Sequence, residues 1–123
     1  MDTSIRAHAD AMRRELGELV AELLAELGPT AVQAMTGTRD RSMPAAWARG
    51  ISNPRPATET QLRLGYRVWS MMREAEGPRV AAAWMTGANP RLGEDTPLTA
   101  IRQAQSADVI GAAEAFIGGT YAA

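Results

Sequence analysis

The sequence contains no cysteine and no lysine, and it has only six aromatic residues among 123. Without cysteine the chain has no disulfide, no thiolate metal ligand and no cysteine nucleophile, and it is compatible with a reducing compartment. It also lacks an apolar run near the ~20 residues that span a membrane, and its start does not follow the charged-then-apolar pattern of a secretion signal. We therefore expect a soluble, cytoplasmic protein of one domain or two tightly joined subdomains.

The arginines are unevenly distributed along the chain. Residues 38–73 contain seven arginines and two acids, a net charge of +5, whereas residues 1–37 and 74–123 each sum to −3. A basic block is typical of a surface that docks on phosphate, because each arginine can displace a condensed counterion. The alternative is a solvated face in an arginine-rich chain, and composition alone does not separate the two.

The alanine-rich composition and the spacing of apolar residues predict an all-α fold. One long amphipathic helix is expected from Ser4 to Leu27, ended by Gly28 and Pro29. The second helix is expected around Val32 and Met35, with Thr30 as cap and Gly37 as its end, and the third over Arg41–Arg49 with Asp40 or Ser42 as cap. The fourth is expected from Thr58 as cap to the break at Gly77 and Pro78. The last three are expected over Val80–Met85, over Pro97–Gln105, and over Ala107–Ile117 with Ser106 as cap. We divide the chain into residues 1–27, 28–75 and 76–123.

Two short helices joined by a turn and framed by longer ones predict a helix-turn-helix in the middle segment. Trp47 is expected to face inward, and Gly50 to end the second helix. The candidate DNA-contact residues are those left outside or placed on the flanks: Arg39, Arg41, Ser42, Ala45, Arg49 and Arg55. Because residues 43–46 offer few groups for base edges, contact mainly with backbone and shape, or loss of the DNA role, stays open.

The stretch from Trp84 to Leu98 contains a tryptophan, then an Asn-Pro-x-Leu loop at residues 89–92, then a helix that begins with Pro97 and Leu98. It resembles the toxin-binding domain of the Xre/MbcA/ParS antitoxin family. The order Trp47, Gly50, Pro54 and Leu62 looks like the helix-turn-helix of the MbcA branch, so the resemblance spans about residues 27–119. Pro44 and Ala46 depart from it, since members that read DNA strongly more often have polar residues there.

The resemblance implies an antitoxin of a type II toxin-antitoxin system that binds a RES-domain, NAD-degrading toxin and occludes its active site. It also implies a homodimer that binds operator DNA and represses its own operon. The toxin-binding positions it implies are Trp84, Asn89, Pro90, Arg91, Leu92, Phe116, Ile117, Thr120, Tyr121, Ala122 and Ala123. Tyr121, after Gly118 and Gly119, is the best candidate for a plug, and the alternative is an ordinary frayed tail.

No catalytic constellation is recognisable in the sequence. His8 is the sole histidine and is expected to be exposed, and the neighbouring carboxylates Glu94 and Asp95 fall in a loop without partners for metal binding or acid-base chemistry. We therefore expect neither an enzyme nor a metal or other cofactor. The alternative function is a free-standing, phage-type helix-turn-helix transcription regulator whose carboxy-terminal half serves dimerisation alone.

Overall fold

The computed structural model describes residues 2–119, and over this range the chain forms α-helices and no β-strand. The helices are α1 (Asp2–Leu27), α2 (Pro29–Thr36), α3 (Met43–Ala48), α4 (Pro56–Glu76), α5 (Pro78–Thr86), α6 (Pro97–Arg102) and α7 (Ser106–Ile117). A short 3-10 helix, Pro90–Leu92, lies between α5 and α6. The predicted all-α class is confirmed. Within the described range no helix combines the length and the apolar character that crossing a membrane requires.

Proline sets the beginning of most of these helices. It occupies one of the first two positions of α2, α3, α4, α5 and α6. At such a position its missing N–H has no helical partner to lose, and its fixed φ already suits a helix. The predictions that Thr30 and Thr58 cap α2 and α4 are wrong for this reason, since Pro29 and Pro56 start those helices earlier and both threonines lie inside the first turn.

Of two further predicted caps, Ser42 has the predicted position without the capping hydrogen bond, and Ser106 does not have the predicted position. Ser42 occupies the N-cap position of α3, but its side chain makes no capping hydrogen bond. Ser106 is the first residue of α7, and Gln105 takes the cap position before it. By contrast, Gly37 ends α2 as predicted: it adopts the left-handed conformation with φ 75°, and its N–H donates to the carbonyl of Gln33.

The long first helix is covered by the rest of the protein over its second half only. Leu16, Leu19, Val20 and Leu23 are buried, whereas the side chains of residues 3–15 are exposed apart from a half-buried Ala9. Ile5 is 65% exposed, although it belongs to the predicted apolar face. The apolar stripe of α1 therefore continues past the point where its neighbouring helices end.

The core forms around α4, which packs against α1, α2, α5, α6 and α7. The buried side chains of α4 are Leu62, Val68, Trp69 and Met72. The apolar cluster around them takes in residues of all seven helices, including Trp47 of α3, Ile101 of α6 and Val109 of α7. The three segments into which the sequence was divided therefore share one core.

Polar contacts join α1 to α4 along the edge of this core. Arg63 of α4 donates from Nη1 to Glu15 and from Nε to Glu59, each over 2.9 Å, and the Tyr66 hydroxyl donates to Glu22 over 3.1 Å. The hydrogen bond to Glu59, followed by the one to Glu15, raises the pKa of Arg63 above its ordinary value. Arg63 therefore carries one of the seven charges of the basic segment but is already bound to two carboxylates.

Candidate functional site

The six predicted DNA-contact residues all lie at the surface, within α3 or beside it. Ala45 is on α3, Ser42 precedes it as N-cap and Arg49 follows it as C-cap. Arg39 and Arg41 belong to the connection between α2 and α3, and Arg55 is the N-cap of α4. We call these six residues the α3 surface. The structure therefore gathers them around one short helix.

α3 itself is apolar and packs mainly against α1. Trp47 is buried, which confirms that it faces inward, and Pro44 is buried beside it. Met43, Ala46 and Ala48 are half-buried, so Ala45 alone among the six residues of α3 is exposed. An alanine methyl group can contact a thymine methyl group but cannot hydrogen-bond to a base edge. The polar groups of the α3 surface are thus on the flanks of the helix.

Asp40 and Ser42 form a fixed turn directly before α3. Asp40 Oδ1 accepts the backbone N–H of Ser42 over 2.9 Å and the Ser42 hydroxyl over 2.6 Å. The hydroxyl bond, and after it the backbone bond, lowers the pKa of Asp40 below its ordinary value. The turn keeps a negative charge near the start of α3, and the Ser42 hydroxyl donates its hydrogen bond within the turn.

Two grooves border α3 and a third lies between α1 and the start of α4, and Asn53 lines all three. The first, of about 510 Å³, lies between α1 and the end of α3. The second, of about 420 Å³, lies between the α2–α3 connection and Arg55, and the third, of about 210 Å³, is bounded by Met12 and Pro54. Sequence reasoning missed Asn53, because an asparagine before a proline is an ordinary turn residue. Its exposed amide can both donate and accept hydrogen bonds.

The predicted toxin-contact residues within the described range lie in the carboxy-terminal part of the chain, in α5, in the loop after it and in α7. We call Trp84, Asn89, Pro90, Arg91, Leu92, Phe116 and Ile117 the α5–α7 surface. The remaining predicted positions, Thr120, Tyr121, Ala122 and Ala123, lie outside the described residues. Trp84 and Phe116 pack together with ring centroids 6.3 Å apart and planes tilted by 57°, which joins α5 to α7.

Asn89 organises the loop between α5 and α6. Its side chain accepts the N–H of Arg91 over 2.9 Å, its carbonyl accepts the N–H groups of Leu92 and Glu94, and its own N–H donates to the carbonyl of Asp95. Because Asn89 is only 1% exposed, its side chain shapes the loop from inside, while Pro90 and Arg91 are exposed.

An apolar groove of about 260 Å³ runs between α5 and α7. It is lined by Val80, Ala83, Trp84, Gly87, Ala88, Asn89 and Phe116. Val80 is 40% exposed, and Ile117, directly after Phe116, is 37% exposed. Sequence reasoning missed Val80 and Ala83, although their spacing to Trp84 and Gly87 places these four residues on one helical face. Such a spacing is equally typical of a stripe that another helix covers, so it does not by itself predict an open groove.

Within residues 2–119, no group of three or more histidine and carboxylate side chains is arranged to hold a metal ion. His8 is exposed on the first half of α1, as predicted. The fold and the two surfaces define a small all-α protein with a basic flank around α3 and an apolar groove between α5 and α7. Comparison with protein-family models, curated proteins and solved structures gives no match for the chain.

Proposed function

We propose that the chain is an antitoxin that binds a RES-domain, NAD-degrading toxin in the cytoplasm and occludes its active site, as the resemblance of residues 84–98 implies. The observation that carries the proposal is the apolar groove between Trp84 and Phe116, with Val80 and Ile117 exposed nearby. Aromatic and aliphatic side chains around a concave surface are suited to bury an apolar side chain of a protein partner.

The loop beside this groove supports the same proposal. The hydrogen bonds of Asn89 hold the backbone of residues 89–95 in one conformation, and they leave Pro90 and Arg91 outward. A loop that is ordered before binding loses less conformational entropy when it binds. Pro90 and Arg91 are therefore the proposed direct contacts, and Asn89 and Trp84 hold the surface in shape.

Residues Thr120–Ala123 are proposed to reach the toxin's nucleotide pocket, with Tyr121 as the plug. Phe116 lines the groove and precedes Tyr121 by five residues, so the groove and the plug would engage neighbouring parts of one partner. A tyrosine combines a large apolar ring with a polar tip, which suits a pocket that receives an aromatic nucleotide.

DNA binding is proposed as a second activity that autoregulates the operon through a helix-turn-helix of α2 and α3. Four arginines of the α3 surface are exposed, and Ala45 is the exposed residue of α3 itself. This arrangement favours contact with phosphates over reading of base edges. The alternative, a free-standing regulator, rests on the same residues; it predicts salt-dependent binding to the chain's own promoter and no effect on any toxin.

A homodimer is also proposed, with the first half of α1 as the contact. Ile5 and Met12 are exposed on the continuation of a stripe that is buried from Leu16 onward. The substitutions Ile5→Glu and Met12→Glu together should convert a dimer to a monomer in light scattering after gel filtration. A wild-type chain that is monomeric at high concentration contradicts this part of the proposal.

The central test is protection against the enzyme encoded beside this gene. The chain and a neighbouring RES-domain enzyme are co-expressed, and cellular NAD is measured. Val80→Glu and Tyr121→Ala should each reduce protection, while Ile51→Glu, a charge placed on an exposed side chain next to α3, should not. If the wild-type chain neither co-purifies with the enzyme nor preserves NAD, the antitoxin proposal is wrong. Full protection by the Val80→Glu and Tyr121→Ala variants would show that these two residues are not part of the interface.

A further inference from the structure

Two arginines from outside the basic segment lie next to the α3 surface: Arg14 of α1 and Arg102 of α6. Arg14 lines the same groove as Arg49, at the end of α3. Arg102 packs its stem against Gly37, where an added Cβ would lie 3.3 Å from the Arg102 Cδ. Gly37 opens the connection that carries Arg39, just before α3. The packing of α1 on α3 thus brings Arg14 beside the end of α3, and the packing of α6 on α2 brings Arg102 beside the connection that leads to α3.

These arginines have free charged groups. Arg14, Arg49 and Arg102 are exposed, and their guanidinium groups make no ion pair or hydrogen bond with any residue of the described range 2–119. Arg13, in the same groove as Arg14, is instead paired with Asp10. Glu18 also lines this groove, so three arginines face two acids and the groove remains positive.

The position of the cations beside α3 suggests what they contact. A helix with its side chains is about 10–12 Å across, which fits the ~12 Å width of the major groove of B-DNA. Cations beside a helix in the groove can face the phosphates that border it. α3 itself presents Ala45, whose small side chain allows close approach but forms no hydrogen bond to bases.

We infer that Arg14 and Arg49, at the end of α3, and Arg102, beside Gly37, bind the backbone phosphates of duplex DNA. The DNA-binding face is then built jointly by α1, α3 and α6, and it extends beyond the helix-turn-helix segment. The inference rests on the proposed DNA-binding activity and names the phosphate contacts that this activity uses.

The test needs no knowledge of the operator, because phosphate contacts do not depend on base sequence. The probe is a fluorescent, mixed-sequence duplex of about 20 base pairs, and its anisotropy with the full chain is measured between about 25 and about 200 mM salt. The variant Arg14→Gln with Arg49→Gln is compared with Arg73→Gln plus Arg79→Gln, which removes the same charge from other exposed positions. Arg73 lies about 27 Å along α4 from Arg55. Arg102→Gln is compared with Arg73→Gln alone.

Each lost phosphate contact should reduce the slope of log affinity against log salt by about 0.9. The Arg14/Arg49 variant should therefore lose about 2 from the slope and Arg102→Gln about 1, while both controls keep the wild-type slope. All substituted side chains are exposed, and circular dichroism with a melting curve checks that each variant is folded.

The outcomes separate the two levels of the proposal. A wild-type chain that does not bind the duplex at the lowest salt overturns DNA binding and the inference with it. A wild-type chain that binds, with equal slopes for the variants and their charge-matched controls, overturns the inference and leaves DNA binding in place. Tighter binding of a single-stranded RNA of equal length also overturns it, because the phosphates of duplex DNA are then not the preferred ligand.

Discussion

Gly17 of α1 lies directly against the backbone of Ala48 in α3: a Cβ added to Gly17 would be 2.9 Å from the carbonyl oxygen of Ala48. This distance is shorter than real Cβ atoms show against a backbone atom, so the two helices approach as closely as they do because residue 17 has no side chain. Glycine in the middle of a helix is unfavourable by about 1 kcal/mol relative to alanine. The close packing of α1 on α3 is the physical reason for a glycine at this position.

Gly17→Ala should destabilise the protein by about 1 to 3 kcal/mol, because the new methyl group forces α3 away from α1. The free energy of unfolding is measured by urea denaturation. Gly111→Ala in α7 is the matched control, since an added Cβ there meets no atom within 4 Å. It should be neutral or more stable by up to about 1 kcal/mol. Equal effects of the two substitutions would contradict the close contact.

Asn89→Ala should lower the free energy of unfolding by about 1 to 3 kcal/mol, because the Arg91 N–H loses its acceptor and a fully buried polar side chain is removed. The amide of Arg91 should also exchange its proton faster. Asn53→Ala, at an exposed asparagine, serves as control and should change stability by less than about 0.5 kcal/mol. Unchanged exchange at Arg91 in Asn89→Ala would show that the loop does not depend on this side chain.

Arg63 and Glu15 should be coupled weakly. Their side chains are 30% and 62% exposed, and an ion pair at such a site contributes at most about 1 kcal/mol. A double-mutant cycle with Arg63→Gln and Glu15→Gln measures this coupling, which should decrease as salt is added. A coupling above about 2 kcal/mol that is insensitive to salt would mean that the pair behaves as a desolvated one.

Asp40 should titrate below the ordinary range of an aspartate, and Ser42→Ala should return its pKa toward that range, because the Ser42 hydroxyl is the main cause of the shift. A pKa that is lower in the folded state means that the ionised carboxylate favours folding. This contribution is present above the unfolded pKa and is lost as the pH falls through the lowered folded value. Carbon-detected NMR titration measures the pKa. Ser52→Ala is the control, and an equal response to both substitutions would exclude the turn as the cause.

Helix boundaries were largely predictable where proline and glycine decide them. Gly37 ends α2, and Pro97 begins α6, as expected from the local chemistry of these residues. Thr30 and Thr58 were assigned as caps because threonine suits that position, but the prolines before them start the helices first. Local propensities compete, and the residue with the stiffer backbone prevails.

The candidate surfaces were predictable only in part. The α3 surface is exposed as its pattern indicated, because Trp47 fixes which face of α3 turns inward. Asn53 and Val80 were missed, since neither residue type nor spacing distinguishes a groove wall from a turn or a buried stripe. Periodicity shows that the face of α1 containing Ile5 is apolar, but only the structure shows where the covering helices end and leave Ile5 exposed.

The amino-acid sequence by itself determined the all-α class, the approximate helix positions and the inward side of α3, since these follow from interactions between residues a few positions apart. Only the tertiary structure decided which charges act together. It binds Arg63 to Glu15 across 48 positions, places Arg14 beside the end of α3 and places Arg102 beside Gly37, each pair far apart in the chain. Electrostatic and packing contacts depend on distance in space, and the packing of α1, α2, α3 and α6 around one core sets those distances.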